Sequence, residues 1–301
     1  MGEHYQDDTH QNQESTFILK SATMRKFYYK VAGHTFSVNK EMAKRYQPFA
    51  TRPKRTIFDL TISEGKIPPG LCIQTQKQVE DDMTIIAGTK NGIPFFEFRL
   101  GRWMTGFLIT SSNYKRGELH IMLAEKFSID TALMIMYALS TACYNTLLFH
   151  ASVIKRNDLG YLFLGKSGTG KSTHSRLWIN NIPGSRLLND DNPVVRIGKD
   201  GVARVYGSPW SGKTPCYKQE SATVAGIAEL EQWPGNETVN LTDNEAYKLI
   251  IRSVSGIRWN KHIVQGQREC AISIMSQVPI FHLRCRPNAE AAYMCNYRMS
   301  M

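Results

Sequence analysis

The alternation of apolar and polar positions changes character near the middle of the chain. Up to about residue 125, short runs that alternate or are rich in aromatics recur at 26–31, 35–38, 56–62, 83–87, 94–99 and 119–123. A period of two is the mark of strands with one buried face. Gly65, Pro68-Pro69-Gly70 and Asn91-Gly92 punctuate these runs as turns do. The pattern predicts a small β-rich domain over 20–125, behind a polar segment, 1–19, expected to be a flexible tail.

Residues 132–149 then form an eighteen-residue run without a charge. Ser140, Thr141, Asn145 and Thr146 interrupt it, and it has no flanking aromatic belt or basic cluster, so a buried helix capped by Asp130 is expected rather than a membrane span. Beyond residue 150, strand-length runs alternate with helical ones, the pattern of an α/β layer. The whole of 126–301 is therefore expected to be an α/β domain, with no internal repeat.

Composition narrows the class. A length of 301 residues suits about two domains. With 42% hydrophobic and 21% charged residues, the chain is neither disordered nor low in complexity. The first nineteen residues hold no apolar core of a signal peptide, and Gln6 breaks the myristoylation pattern at Gly2. Six cysteines without a C-x-x-C pair argue against a zinc ribbon and a disulfide framework and fit reduced thiols in the cytoplasm.

The net charge of +11 invites a phosphate-bearing partner, and its distribution sharpens that reading. Residues 20–55 carry +9 and residues 150–301 carry +7, while 1–19 and 56–149 are −4 and −1. In the first basic stretch Phe27, Tyr28, Tyr29, Phe36, Tyr46 and Phe49 alternate with the bases. Such a mixture can bind single-stranded nucleic acid. Strands with one wet face look the same, and that reading is favoured, which argues against nucleic acid as a partner.

The second basic region contains Gly165-Lys166-Ser167-Gly168-Thr169-Gly170-Lys171-Ser172, a match to the Walker A pattern, followed by Thr173. An apolar run, 161–164, precedes it and a helix-compatible stretch, 173–182, follows until Pro183-Gly184. Three glycines allow successive backbone N–H groups to point at a polyphosphate, and the helix N-terminus adds partial positive charge. Lys171 is expected to reach the β- and γ-phosphates of ATP, with the Ser172 hydroxyl on Mg²⁺.

A second acidic element is needed, because Mg²⁺ prefers hard oxygen ligands. Asp190 and Asp191 follow the strand-like 186–188, nineteen residues after Lys171, so that strand is expected beside the P-loop strand. One carboxylate can hold the metal and the other accept a proton from an attacking hydroxyl. Ser172 and Asp191 are the expected metal ligands.

The order His150-Ala-Ser-Val-Ile, then Gly-Lys-Ser-Gly-Thr-Gly-Lys-Ser-Thr, then Asp-Asp after a short strand resembles the HPr kinase/phosphorylase family. It is similar also to the nucleotide-binding half of ATP-dependent phosphoenolpyruvate carboxykinase. The likeness spans roughly 147–290. It implies a P-loop-containing HPr-kinase/carboxykinase-like C-terminal fold, with Asp190 or Asp191 as base and His150 assisting. Thr173 stands where the family usually carries Glu, and the family's C-terminal segment is not apparent.

Two further sets have chemistry to offer. Gly207-Ser-Pro-Trp-Ser-Gly-Lys213 has the composition of an anion-binding loop, with Lys213 for phosphate and Trp210 as a flat face, or of a tight turn. Arg284 and Arg286 can clamp an anion or pair with surface acids. Thr242 through Glu245 reads as a helix capping box, and Asn288 as another cap.

These expectations converge on an ATP- and Mg²⁺-dependent kinase acting on a hydroxyl, of a small molecule or a protein Ser, with a homo-oligomer left open and no membrane partner. A carboxykinase-like lyase and a non-catalytic nucleotide sensor or nucleic-acid binder are the alternatives.

Overall fold

A computed structural model describes residues 25–63, 66–67, 69–212 and 214–300. The expected tail, 1–19, lies outside them, as do Gly65, Pro68 and Lys213. The chain is mixed α/β, with two mixed sheets and a smaller helical share.

The first sheet uses β1 (Phe27–Val31), β2 (His34–Val38), β3 (Phe58–Ser63), β4 (Cys72–Glu80), β5 (Met83–Lys90), β6 (Ile93–Leu100), β7 (Trp103–Thr110) and β8 (Arg116–Ile121). Their order is β1-β2-β3-β8-β7-β6-β5-β4. Each of the six runs read from the sequence lies on one of these strands. The two without a matching run, β4 and β7, fail the alternation test for opposite reasons. β4 is an edge strand of mostly exposed polar residues, whereas β7 is buried along most of its length.

Helix α1 (Glu125–Thr141) packs on this sheet, joining a core with Phe36, Phe58, Leu60, Phe96 and Phe98. It differs from the expected 132–149. It begins seven residues earlier, after Ala124, and ends at Thr141, where a short 3₁₀ turn, Ala142–Tyr144, leads to Asn145 at φ +51. Thr146–Leu148 then becomes strand β9. Asp130 is not a cap: it sits inside the helix, where it accepts from Arg45 and, at 2.7 Å, from the Tyr46 hydroxyl. Among the described residues one helical stretch, Glu125–Tyr144, is long and apolar enough to cross a membrane, and 67% of its most apolar window is buried inside the protein.

The second sheet contains β9, β10 (Ser152–Arg156), β11 (Leu159–Leu164), β12 (Arg186–Asn189), β13 (Val194–Ile197), β14 (Ala203–Tyr206), β15 (Ser221–Gln232), β16 (Glu237–Asn240) and β17 (Ile280–Cys285). Helices α2 (Lys171–Asn181) and α5 (Ala289–Met299) share a core with Phe163 and Phe281. Helices α3 (Asp243–Arg252) and α4 (Lys261–Met275) share a separate one with Leu162 and Ile227. Adjacent strand residues point to opposite faces, so the sheet is covered on both sides. The Thr242–Glu245 capping box and the Asn288 cap form as expected.

The expected neighbour of the P-loop strand is corrected. β12 pairs with β10, which lies between β12 and β11. The cause is local: Asn157 and Asp158 both take positive φ, +48 and +62, and close β10 and β11 into a tight hairpin. The other side of β11 is occupied by β15, in parallel.

The two sheets are locked by buried polar groups. The Trp210 indole donates to the Tyr46 hydroxyl at 3.0 Å, Arg196 donates to the Ala32 carbonyl at 2.8 Å, and His34 meets the Thr146 hydroxyl at 2.9 Å. Trp210 is 4% exposed and packs edge-on against Tyr137. It therefore offers no face to a ligand, contrary to the sequence reading. In the basic arm Tyr29, Phe36, Tyr46 and Phe49 are core residues rather than a stacking platform, and Lys26, Lys40 and Arg45 pair with acids.

Burial, with the Arg196 charge, pushes the His34 imidazole down to about 4, and burial alone does the same to His174. Both stay neutral in the folded chain while the unfolded chain protonates them below about 6.5. Stability is therefore full above pH 6.5 and is lost as pH falls toward 4. Each imidazole is expected to cost about 2 kcal/mol at pH 5. Urea unfolding at pH 7 and pH 5 measures the loss, and His34→Gln should remove about half of the part due to these two groups.

Candidate functional site

β10 runs antiparallel to both β11 and β12, so the start of β10 lies at the same sheet edge as the ends of the other two. Ser152 faces Phe163 and Val153 faces Asn189 across these ladders. Three chain segments are thereby gathered: the P-loop after β11, Asp190-Asp191 after β12, and His150 ahead of β10. His150 lies two residues ahead of β10 and is not part of it. It stands in the gap between β9 and β10, where its backbone N–H donates to the Ser253 carbonyl at 2.8 Å.

The P-loop wraps the N-terminus of α2. Gly165, Gly168 and Gly170 take φ of +145, +82 and +102, conformations that suit glycine. A side chain at Gly165 would meet the Thr169 hydroxyl and the Leu230 carbonyl, whereas at Gly168 and Gly170 it would meet nothing within 4 Å. The loop is thus packed at its base and open at its rim. Thr169 braces it by donating to the Lys166 carbonyl at 2.9 Å, and Gln232 donates to the Gly168 carbonyl at 3.3 Å. Lys171, first residue of α2, folds its ammonium back onto the carbonyls of Gly165 and Lys166 at 2.9 and 3.1 Å. Burial lowers its pKa, opposed by Asp191, Glu80 and Asp190. Ser172 and Thr173 follow in the first turn of α2.

The two aspartates differ. Asp190 is 6% exposed, and its Oδ1 accepts from Ser152 at 2.8 Å. Ser152 in turn meets Ser175 of α2 at 2.6 Å. Ser175 lies one turn beyond Ser172 on the same helix face. The Asp190 Oδ2 atom is buried without a hydrogen-bond partner, which is costly unless a further group satisfies it. Asp191 keeps 37% of its side chain open and lies 3.6 Å from His150 Nε2. Protein walls around it raise its pKa, against the pull of His150 and Lys171 and with the help of Asp190 and Glu80.

Sequence reasoning missed four contributors. The β4–β5 turn of the first sheet brings Glu80 to 3.8 Å from His150 Nδ1 and Asp81 to 3.5 Å from the Ser167 hydroxyl. Its only sequence signal is an acidic run, Glu80-Asp81-Asp82, which reads as a turn. Ser152 and Ser175 carry no motif at all; the strand ladder brings them together.

Other expected groups do not join the site. Arg284 pairs with Glu231 and Glu237 at 3.0 and 3.2 Å and covers the Trp233 ring. Arg286 donates to the Pro234 carbonyl. Arg284 follows the surface-pairing alternative, and Arg286 is held by backbone instead. The segment 207–212 does reach the aspartates, since a side chain at Gly212 would lie 3.2 Å from Asp191 Cβ. Lys213 itself lies outside the described residues.

Among the described residues no three His, Cys, Asp or Glu side chains form a metal cluster. Mg²⁺ needs less, since it is commonly held by one or two carboxylates together with phosphate oxygens and water. The open, glycine-lined rim, the Lys171 ammonium and the unpartnered Asp190 oxygen fit a magnesium–nucleotide complex. Set against models of known protein families and against curated proteins, the chain matches none.

Removing the Ser152 hydroxyl leaves the buried Asp190 carboxylate with neither oxygen bonded. Ser152→Ala is expected to destabilise the fold by about 1–3 kcal/mol, and Ser175→Ala by less. Chemical denaturation of the two variants checks the order.

Proposed function

We propose that the chain is an ATP- and Mg²⁺-dependent phosphotransferase acting on a hydroxyl, in the manner implied by its resemblance to HPr kinases, and that it works in the cytoplasm. The observation that carries this reading is the meeting of the Lys171 loop, the Asp190-Asp191 pair and His150 at one sheet edge. The six cysteines, all unpaired, support the compartment.

In this reading the backbone N–H groups of 165–171 cradle the phosphates, and Lys171 leaves the loop carbonyls for the β- and γ-phosphates. Ser172 and Asp190 hold Mg²⁺, which neutralises charge on the phosphates. The metal role expected for Asp191 passes to Asp190, whose Oδ2 is the one left without a partner. Asp191, open to solvent and beside His150, is the base.

The acceptor oxygen forms a bond to the γ-phosphorus while the bond to the β–γ bridging oxygen breaks. The hydroxyl proton passes to Asp191, and ADP departs with the electron pair. His150, between Asp191 and Glu80, orients the base and spreads its charge. The raised pKa of Asp191 makes it a better proton acceptor than an ordinary aspartate.

Lys171→Ala is expected to abolish phosphoryl transfer from labelled ATP to a panel of hydroxyl compounds and cell extract, with the melting temperature little changed. Asp191→Asn should lower kcat by about 10²–10⁴-fold. Undiminished transfer in either variant overturns the corresponding role.

A further inference from the structure

Beside the catalytic edge lies a cavity of about 680 Å³, walled by β4–β6 of the first sheet, by α1 and by the segment 252–258. His150, Asp191 and Asn192 stand on its wall. That volume falls within the range of sites for small organic ligands, roughly 300–1,000 Å³. We propose that this cavity is the acceptor site of the phosphotransferase described above, and that it takes a small alcohol with a bulky apolar body and no anionic group. The proposal rests on that reading of the P-loop site.

Three observations carry it. The first is position: Asp191, the base, belongs both to the cavity wall and to the P-loop site, so a hydroxyl held here lies next to the group that takes its proton. The second is the lining. Ile85, Phe96 and Leu100 from the sheet and Phe127, Met134 and Ile135 from α1 make an apolar body for the space. A serine presented from a folded protein surface has no use for apolar room of this size, whereas an aryl or alkyl alcohol does.

The third is charge. The cavity wall carries the carboxylates of Glu80, Asp81, Asp82, Asp130 and Asp191 and the guanidinium groups of Arg252 and Arg258. Arg252 pairs with Glu229, whereas Arg258 donates to two neutral groups, Gln267 and the Ile251 carbonyl, and keeps its charge. Asp130 is satisfied by Arg45 and Tyr46. Glu80 and Asp191 share the one imidazole of His150 and the field of Lys171, and Asp81 accepts a long hydrogen bond from Ser167. The balance of charge on the wall is negative, five carboxylates against two guanidinium groups. A sugar phosphate or hydroxy acid would bring a further negative charge to a wall where carboxylates outnumber guanidinium groups.

Calorimetry on the full chain tests this with 2-(2-naphthyl)ethanol, its carboxylate counterpart 2-naphthylacetate, and a magnesium complex of a non-hydrolysable ATP analogue. The alcohol is expected to bind the wild type at least about tenfold more tightly than the carboxylate. Met134→Trp and Ile135→Trp, which fill the cavity from α1, are each expected to weaken alcohol binding at least about tenfold and leave the nucleotide analogue within about twofold. Thermal melts identify the variants that fold, and the alcohol-to-carboxylate ratio of the wild type needs no variant. Equal or tighter binding of the carboxylate, no binding of the alcohol, or unchanged alcohol binding in the folded Trp variants overturns the proposal. Failure of the wild type to bind the nucleotide analogue strikes the phosphotransferase reading instead, and the alcohol titrations separate the two.

Discussion

The site depends on one constraint, the antiparallel ladder that holds β10 between β11 and β12. Because a strand antiparallel to both neighbours starts where they end, the β10 hairpin turns three distant stretches of chain toward a single edge. Without it the P-loop and the aspartate pair would remain separate features of the sequence. The same ladder brings Ser152 under Asp190, so the strand that assembles the site also satisfies half of its most buried carboxylate.

A second constraint is the seam between the sheets. Tyr46 donates to Asp130 of α1 and accepts from Trp210 of the second half, so one buried hydroxyl links the basic arm, the long helix and the loop that runs to the aspartates. Arg45 and nearly all of the arm's aromatic surface serve this seam and the first core. With the sheets held together, the β4–β5 turn can place Glu80 and Asp81 at the P-loop site. The first sheet is therefore part of the chemistry in the proposed reading, as the wall of the acceptor cavity and as the source of carboxylates around His150.

Electrostatics divides the labour at the edge. Glycine backbone and Lys171 give the P-loop side a positive character, and Asp191, Glu80 and Asp82 give the cavity side a negative one. In the proposed reading a polyphosphate is drawn to the first and a neutral hydroxyl compound is tolerated by the second. Asp191 lies at the boundary between them. Its desolvation and its acidic neighbours raise its proton affinity, while His150 and Lys171 keep it from being lost as a carboxylate.

What the sequence determined by itself was local. The P-loop between its strand and helix, the Thr242 capping box and the Asn288 cap were legible because the residues that make them lie within a few positions of one another. Strands with one buried face were legible by alternation, and the exposed edge strand β4 was not, since it has no buried face to pattern. Only the tertiary structure decided that β10 separates β12 from the P-loop strand, that Trp210 is internal, that Asp130 anchors Arg45 and Tyr46 rather than capping a helix, and that Glu80 reaches His150. These depend on pairings between residues tens to more than a hundred positions apart. Such pairings are chosen by the order of strands and by the packing of one sheet on another, and neither leaves a periodic trace along the chain.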